Sequence, residues 1–158
     1  MQSGRVSTMR HILTIGSGLV GLGLFAAPAN AATVTISGTI LNQCVLTPVG
    51  GSMVADSTGT LMTTESGVGA APATLAVVAT GSVPTLTFAA PTLSGPATGS
   101  TTQIRYTGSG ASQGFTSTSS TASAARLDTF TVHAKVDNSA GFPSGVYTVS
   151  TIVTCGQP

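Results

Sequence analysis

Two cysteines, one histidine and four carboxylates are the reactive side chains that this chain offers between Ala32 and Pro158. Cys44 and Cys155 could form a disulfide, hold a metal or act as nucleophiles. His133 could serve as a general base, and Asp56, Glu65, Asp128 and Asp137 could supply an acid and base pair. The spacing argues against most of this chemistry. His133 alternates with Thr131 and Lys135 on the polar face of "TFTVHAKV", which makes it a solvent-facing residue. Asp128 and Asp137 flank that stretch, about 30 Å apart if it is extended. Glu65 stands alone in "TTESGVG", and no Gly-x-Ser-x-Gly elbow joins a strand to a helix. One histidine beside two distant cysteines has no metal-ligand spacing. The sequence therefore predicts no catalytic residues, no cofactor and no metal, and a protein that is not an enzyme.

The meaning of the cysteines depends on the compartment. Arg5 and Arg10 precede the apolar run "ILTIGSGLVGLGLFAA" (Ile12 to Ala27), followed by Pro28 and the small residues around Ala29 to Ala31. That order is a secretory signal peptide over residues 1–31, cleaved after Ala31. The run has sixteen residues, four of them glycine, against the roughly 20 that a spanning helix needs. No transmembrane segment is expected after cleavage, and the protein is expected to be secreted, in the periplasm or at the cell surface. In an oxidising compartment Cys44 and Cys155 are most simply one disulfide; free thiols and intermolecular bridges are the alternatives.

Residues 32–158 make one domain by length. Arg105, Arg126 and Lys135 stand against four carboxylates, a formal charge of −1. Three scattered cations cannot neutralise a run of phosphates, so no nucleic-acid partner is expected. Thr, Ser, Gly and Ala take the place of charge, a composition suited to extended backbone and turns.

Periodicity supplies the elements that position the cysteines. In "TVTISGTILNQC" Val34, Ile36, Gly38, Ile40 and Cys44 share one face and the threonines the other, which predicts a half-buried first strand. "TFTVHAKV" turns Phe130, Val132, Ala134 and Val136 inward. "GVYTVSTIVTC" does the same with Tyr147, Val149, Val153 and Cys155, so both cysteines lie on apolar faces. "DNSAGFPSG" (Asp137 to Gly145) joins these two strands by a hairpin or a longer corner. "PATLAVVAT", "VPTLTFAAP" and "TQIRYTG" read as further strands, with another between Ser52 and Met62. The Ser/Thr/Gly/Ala-rich stretch Thr107 to Ala125 reads as a mobile surface loop or, alternatively, as an exposed loop that is glycosylated or touches a ligand. About seven short strands without helical periodicity predict an all-β fold, an antiparallel immunoglobulin-like β-sandwich.

The chain ends, "ATVTISGTILNQCVLT" and "SAGFPSGVYTVSTIVTC", resemble subunits of bacterial chaperone-usher fimbriae, nearest the spore coat protein U-like group of the archaic pili. The resemblance implies a pilin-like sandwich lacking one strand, with like subunits and a periplasmic chaperone as partners. Assembly would follow by β-strand addition, in which a neighbour's N-terminal strand completes the sheet. The matching donor residues here are Val34, Ile36, Gly38 and Ile40. The same residues are those that periodicity assigns to the chain's own first strand, and one segment cannot serve as both in one assembled state. The alternative is a self-complete secreted immunoglobulin-like module that binds a surface partner or a carbohydrate.

Overall fold

The computed structural model describes residues 35–158. The signal peptide over residues 1–31 and the place given to Val34 lie outside them. The chain divides into two units, 1–37 and 38–158, and every strand belongs to the second.

Among the described residues every element is a strand and every pairing is antiparallel. The longest strand, β10 (Leu127–Asp137), organises the largest sheet. It runs unbroken for eleven residues because it contains neither Gly nor Pro and buries Phe130, Ala134 and Val136 on alternate positions. It ends at Asn138, whose Oδ1 accepts the Ala140 N–H at 3.1 Å and starts a turn completed by Gly141 at φ 85°. One edge of β10 pairs first with β4 (Ala73–Thr80) and then with the short β3 (Leu61–Thr63). Its other edge pairs with β7 (Thr101–Thr107), which pairs in turn with β8 (Ser112–Thr116). β1 (Gln43–Val49) lies outside β4, and β2 (Val54–Ala55) outside β3. This sheet curls like half a barrel.

A three-stranded sheet places β5 (Thr85–Phe88) between β9 (Ser120–Ser123) and β12 (Val153–Gly156). Past Phe88 the Ala89 N–H still reaches the Ile152 carbonyl at 2.8 Å, and β6 (Thr92–Ser94) then pairs with β11 (Thr148–Ser150). Pro91, which has no N–H to give, falls at the break between the two ladders.

Side chains of the two larger sheets meet in one core. Leu75 and Val77 from β4, Ile104 and Tyr106 from β7 and Phe130 from β10 join Leu86, Phe88 and Ala122. The Phe88 ring stacks on Tyr106 with centroids 4.0 Å apart, and Phe130 meets Tyr106 edge-on at 6.0 Å. The buried Tyr106 hydroxyl donates to Ser120 Oγ at 3.0 Å, which satisfies the one polar atom of that cluster.

The alternation read for β10 and for "GVYTVSTIVTC" is present, but the latter, expected as one strand, breaks at Thr151–Ile152 into β11 and β12 of different sheets, and "DNSAGFPSG" forms a corner leading into the β6–β11 ladder rather than a hairpin. Three other expectations need correction. The first strand begins at Gln43, not near Thr33; Thr35–Asn42 form no strand. Gln43 pairs with Thr80, the last residue of β4, and Gly81 at φ 78° then turns that chain away, so earlier residues have no edge to pair with. The stretch Thr107 to Ala125 is not a mobile loop but contains β8 and β9. Ala122 and Ala124, two residues apart, are buried where other strands bury large side chains. In place of about seven strands, the described residues contain twelve, several only two to four residues long.

Candidate functional site

Cys44 is the second residue of β1 and Cys155 lies in β12, and the two are joined in a disulfide with Cα atoms 6.4 Å apart. Among the described residues β1 is a terminal strand of its sheet, bonded only to β4, and β12 and β11 are each bonded on one side only. The bridge therefore ties two unpaired sheet edges together.

Away from the bridge, toward the C-terminal end of β1, a groove of about 440 Å³ lies between these edges. Pro48 and Val49 of β1 line it on one side, Val149 and Val153 of β11 and β12 on the other. It reaches the core at Leu75, Phe88 and Ile104. Its far rim is the turn after β1, where Gly51 is required: a Cβ there would stand 2.5 Å from the Ala71 carbonyl oxygen. On the opposite rim the Tyr147 hydroxyl donates to the Pro143 carbonyl at 2.7 Å, holding the chain that enters β11. Open sheet edges carry unsatisfied N–H and C=O groups, so an apolar trough between two of them suits an extended peptide.

The segment before β1 has complementary properties. Ile36 is 92% exposed, Ile40 80% and Leu41 77%, in backbone with no strand partner. Gly38 is exposed as well, and nothing lies within 4 Å of where its Cβ would stand. Ile36, Gly38 and Ile40 thus keep the alternation read in the sequence, with no strand among the described residues to receive it.

The remaining candidates fall elsewhere. Glu65 is not alone: it forms an ion pair with Arg105, lies 3.9 Å from His133 Nδ1, and shares that edge with Thr64, whose hydroxyl is 3.3 Å from the same nitrogen. His133 and Arg105 are directly opposed on β10 and β7, and Arg105 also sits over the Phe115 ring. Forty residues separate Glu65 from Arg105, and no local signal connects them. Asp137 pairs with Lys135 at 3.1 Å.

Asp128 is buried and accepts four hydrogen bonds, from the Ser109 N–H and hydroxyl, the Ala125 N–H and the Thr129 N–H, all between 2.8 and 3.0 Å. Burial alone pushes its carboxyl up; these donors outweigh that and hold its pKa below the ordinary value. All its acceptor capacity goes into fastening two turns. Asp56 likewise organises the turn into β3, its pKa lowered first by the Thr58 hydroxyl and then by the N–H groups of Leu61, Thr60 and Gly59, against a smaller cost of burial.

No protein-family model matches this chain, and no curated protein or solved structure matches it.

Proposed function

We propose that this chain is a secreted structural subunit of a bacterial surface fibre or fimbria, assembled by β-strand addition. In this reading the signal peptide is cleaved after Ala31, and the freed segment up to Ile40 of one copy fills the groove of the next. The two main sheets are read as an immunoglobulin-like, pilin-like sandwich left open where β1 and β11–β12 part. The observation that carries the proposal is that the described residues hold both an apolar groove between two sheet edges with no strand partner among them and a segment outside every strand with apolar residues on alternate positions. Because its own first strand starts at Gln43, the segment is free to serve as donor. Two different, complementary surfaces make a head-to-tail contact, which propagates as a filament when the rotation does not close. A periplasmic chaperone would cover the same groove before assembly.

A second reading, a self-complete module binding a carbohydrate or other surface partner, draws on the hydroxyls of Thr64, Thr148, Ser150 and Thr151 along the groove. The volume is within the range of small-ligand sites.

Replacement of Ile36 by Asp separates the two. Ile36 is exposed in the single chain, so the variant should unfold at the wild-type midpoint. In the assembled groove an unpaired carboxylate costs on the order of 2 kcal/mol or more. Wild type purified from the periplasm should form a ladder of oligomers by light scattering, and Ile36→Asp should remain monomeric. Wild type that stays monomeric at every concentration would refute the fibre reading.

A further inference from the structure

We infer that the Cys44–Cys155 bridge prevents a chain from filling its own groove and so directs residues 35–41 to a second copy. The inference rests on the strand-addition reading above and specifies its partner.

Neighbouring strands in a sheet lie about 4.8 Å apart, so a strand inserted between two edges needs them separated by roughly 9.6 Å. At the bridge the Cα atoms of the two edges are 6.4 Å apart. Nothing extended passes between β1 and β12 at that level.

The segment is attached at this closed end. The Leu41 carbonyl accepts the Thr80 hydroxyl at 2.8 Å; Asn42 donates its Nδ2 to the Pro158 carbonyl at 2.9 Å and accepts the Ser82 N–H at 3.2 Å. Cys44 follows two residues later. The groove lies toward the other end of β1, near Val49 and the Gly50–Gly51 turn. From Cys44 to Val49 an extended chain covers about 17 Å.

Within one molecule the segment has two routes. It can run outside β1 to the mouth of the groove and turn back; Ile40, one residue from the anchor at Leu41, then never reaches the mouth, and Ile36 only arrives there. Or it can arch over the bridge and drop between the edges beyond it, which lifts Ile40 and Gly38 out of the groove. Neither route seats Ile36, Gly38 and Ile40 together. A segment arriving from a second copy has no such tether: its free end points to the bridge and its attached end leaves at the mouth. It then runs antiparallel to β11–β12, and the bridge sets how deep it can enter.

The test compares three mature proteins from the periplasm: wild type, Cys44→Ser/Cys155→Ser, and the bridged chain with about twelve Gly/Ser residues inserted between Leu41 and Asn42. A flexible linker of that length spans roughly 19 Å, enough to carry the whole segment to its own groove. Mass by light scattering is read against concentration, with hydrogen exchange at residues 35–41. Wild type should be oligomeric with the segment protected. The linker variant, which keeps the bridge and its stability, should be monomeric with the segment equally protected. The double Ser variant, where circular dichroism shows it folded, should shift in the same direction. Linker and double Ser variants that polymerise as wild type does would overturn the inference while leaving strand addition intact. Wild type that neither associates nor protects the segment would overturn strand addition and the inference with it.

Discussion

Asp128 shows how a residue that looks catalytic by type is committed by its neighbours to structure. Its two oxygens receive N–H groups from the β7–β8 turn, the β9–β10 connection and β10 itself. Asp128→Ala leaves three backbone donors without this acceptor and should destabilise by about 1 to 3 kcal/mol in urea unfolding. The pH dependence has a definite sign. Because the folded pKa is below the ordinary value, the stabilisation is complete above the unfolded pKa of about 3.9 and is lost as pH falls through the folded value. Wild type should therefore lose stability on acidification below about pH 4, and Asp128→Asn should show a shallower loss over that interval; equal slopes would refute the assignment. The sequence placed His133 on the face opposite Phe130 and Val136, since period two requires only its neighbours, but Thr64 and Glu65 cover it there and its side chain is 20% exposed rather than solvent-facing. It did not reveal the Glu65 to Arg105 pair, because that contact depends on which strands lie beside each other.

At the scale of elements, legibility followed side-chain size. β4, β5, β7 and β10 carry Leu, Val, Ile, Phe and Tyr on alternate positions, and their strands fall where the alternation puts them. β9 and the residue that follows it carry the same alternation in alanine, at Ala122 and Ala124, and Ser/Thr/Ala composition hides it. Ala122 pairs with Leu86 and Ser120 with Phe88, so β9 closes one edge of the three-stranded sheet and supplies the partner of the Tyr106 hydroxyl. Removing Ser109 to Ala122 would delete β8 and most of β9, expose Leu86 and Phe88, and strand that hydroxyl. Each fully exposed large apolar side chain costs roughly 1.5 to 3 kcal/mol, and a domain's net stability is about 5 to 15 kcal/mol. The deletion should leave no cooperative thermal transition. A shortened protein that folds with near wild-type stability would return the stretch to a dispensable loop. The start of β1 is hidden for a different reason: alternation in "TVTISGTI" marks a chain ready to pair, and only the length of β4 shows that it has no partner among the described residues.

For the whole molecule, the disulfide is the one covalent tie between the edges of two sheets, and its effect on stability is separable from its effect on assembly. The bridge closes a sequence separation of 111 residues, for which chain-entropy arguments give on the order of 4 to 5 kcal/mol. The surface supplies little that could offset its loss, since ion pairs such as Lys135–Asp137 are half exposed, and exposed pairs are worth about 0 to 1 kcal/mol. Reduction should lower the denaturant midpoint of the monomeric Ile36→Asp protein substantially, with little further change on adding salt. The loss should begin locally. β1 and β12 each keep a single hydrogen-bonded neighbour once the sulfurs part, so their amides should gain exchange first, while Val132 and Val136 in β10, paired on both sides, exchange only with global unfolding. Uniform acceleration across all strands would mean that the bridge acts on the unfolded chain alone. Selective opening of β1 and β12 would mean that the same bond holds the closed end of the groove in shape.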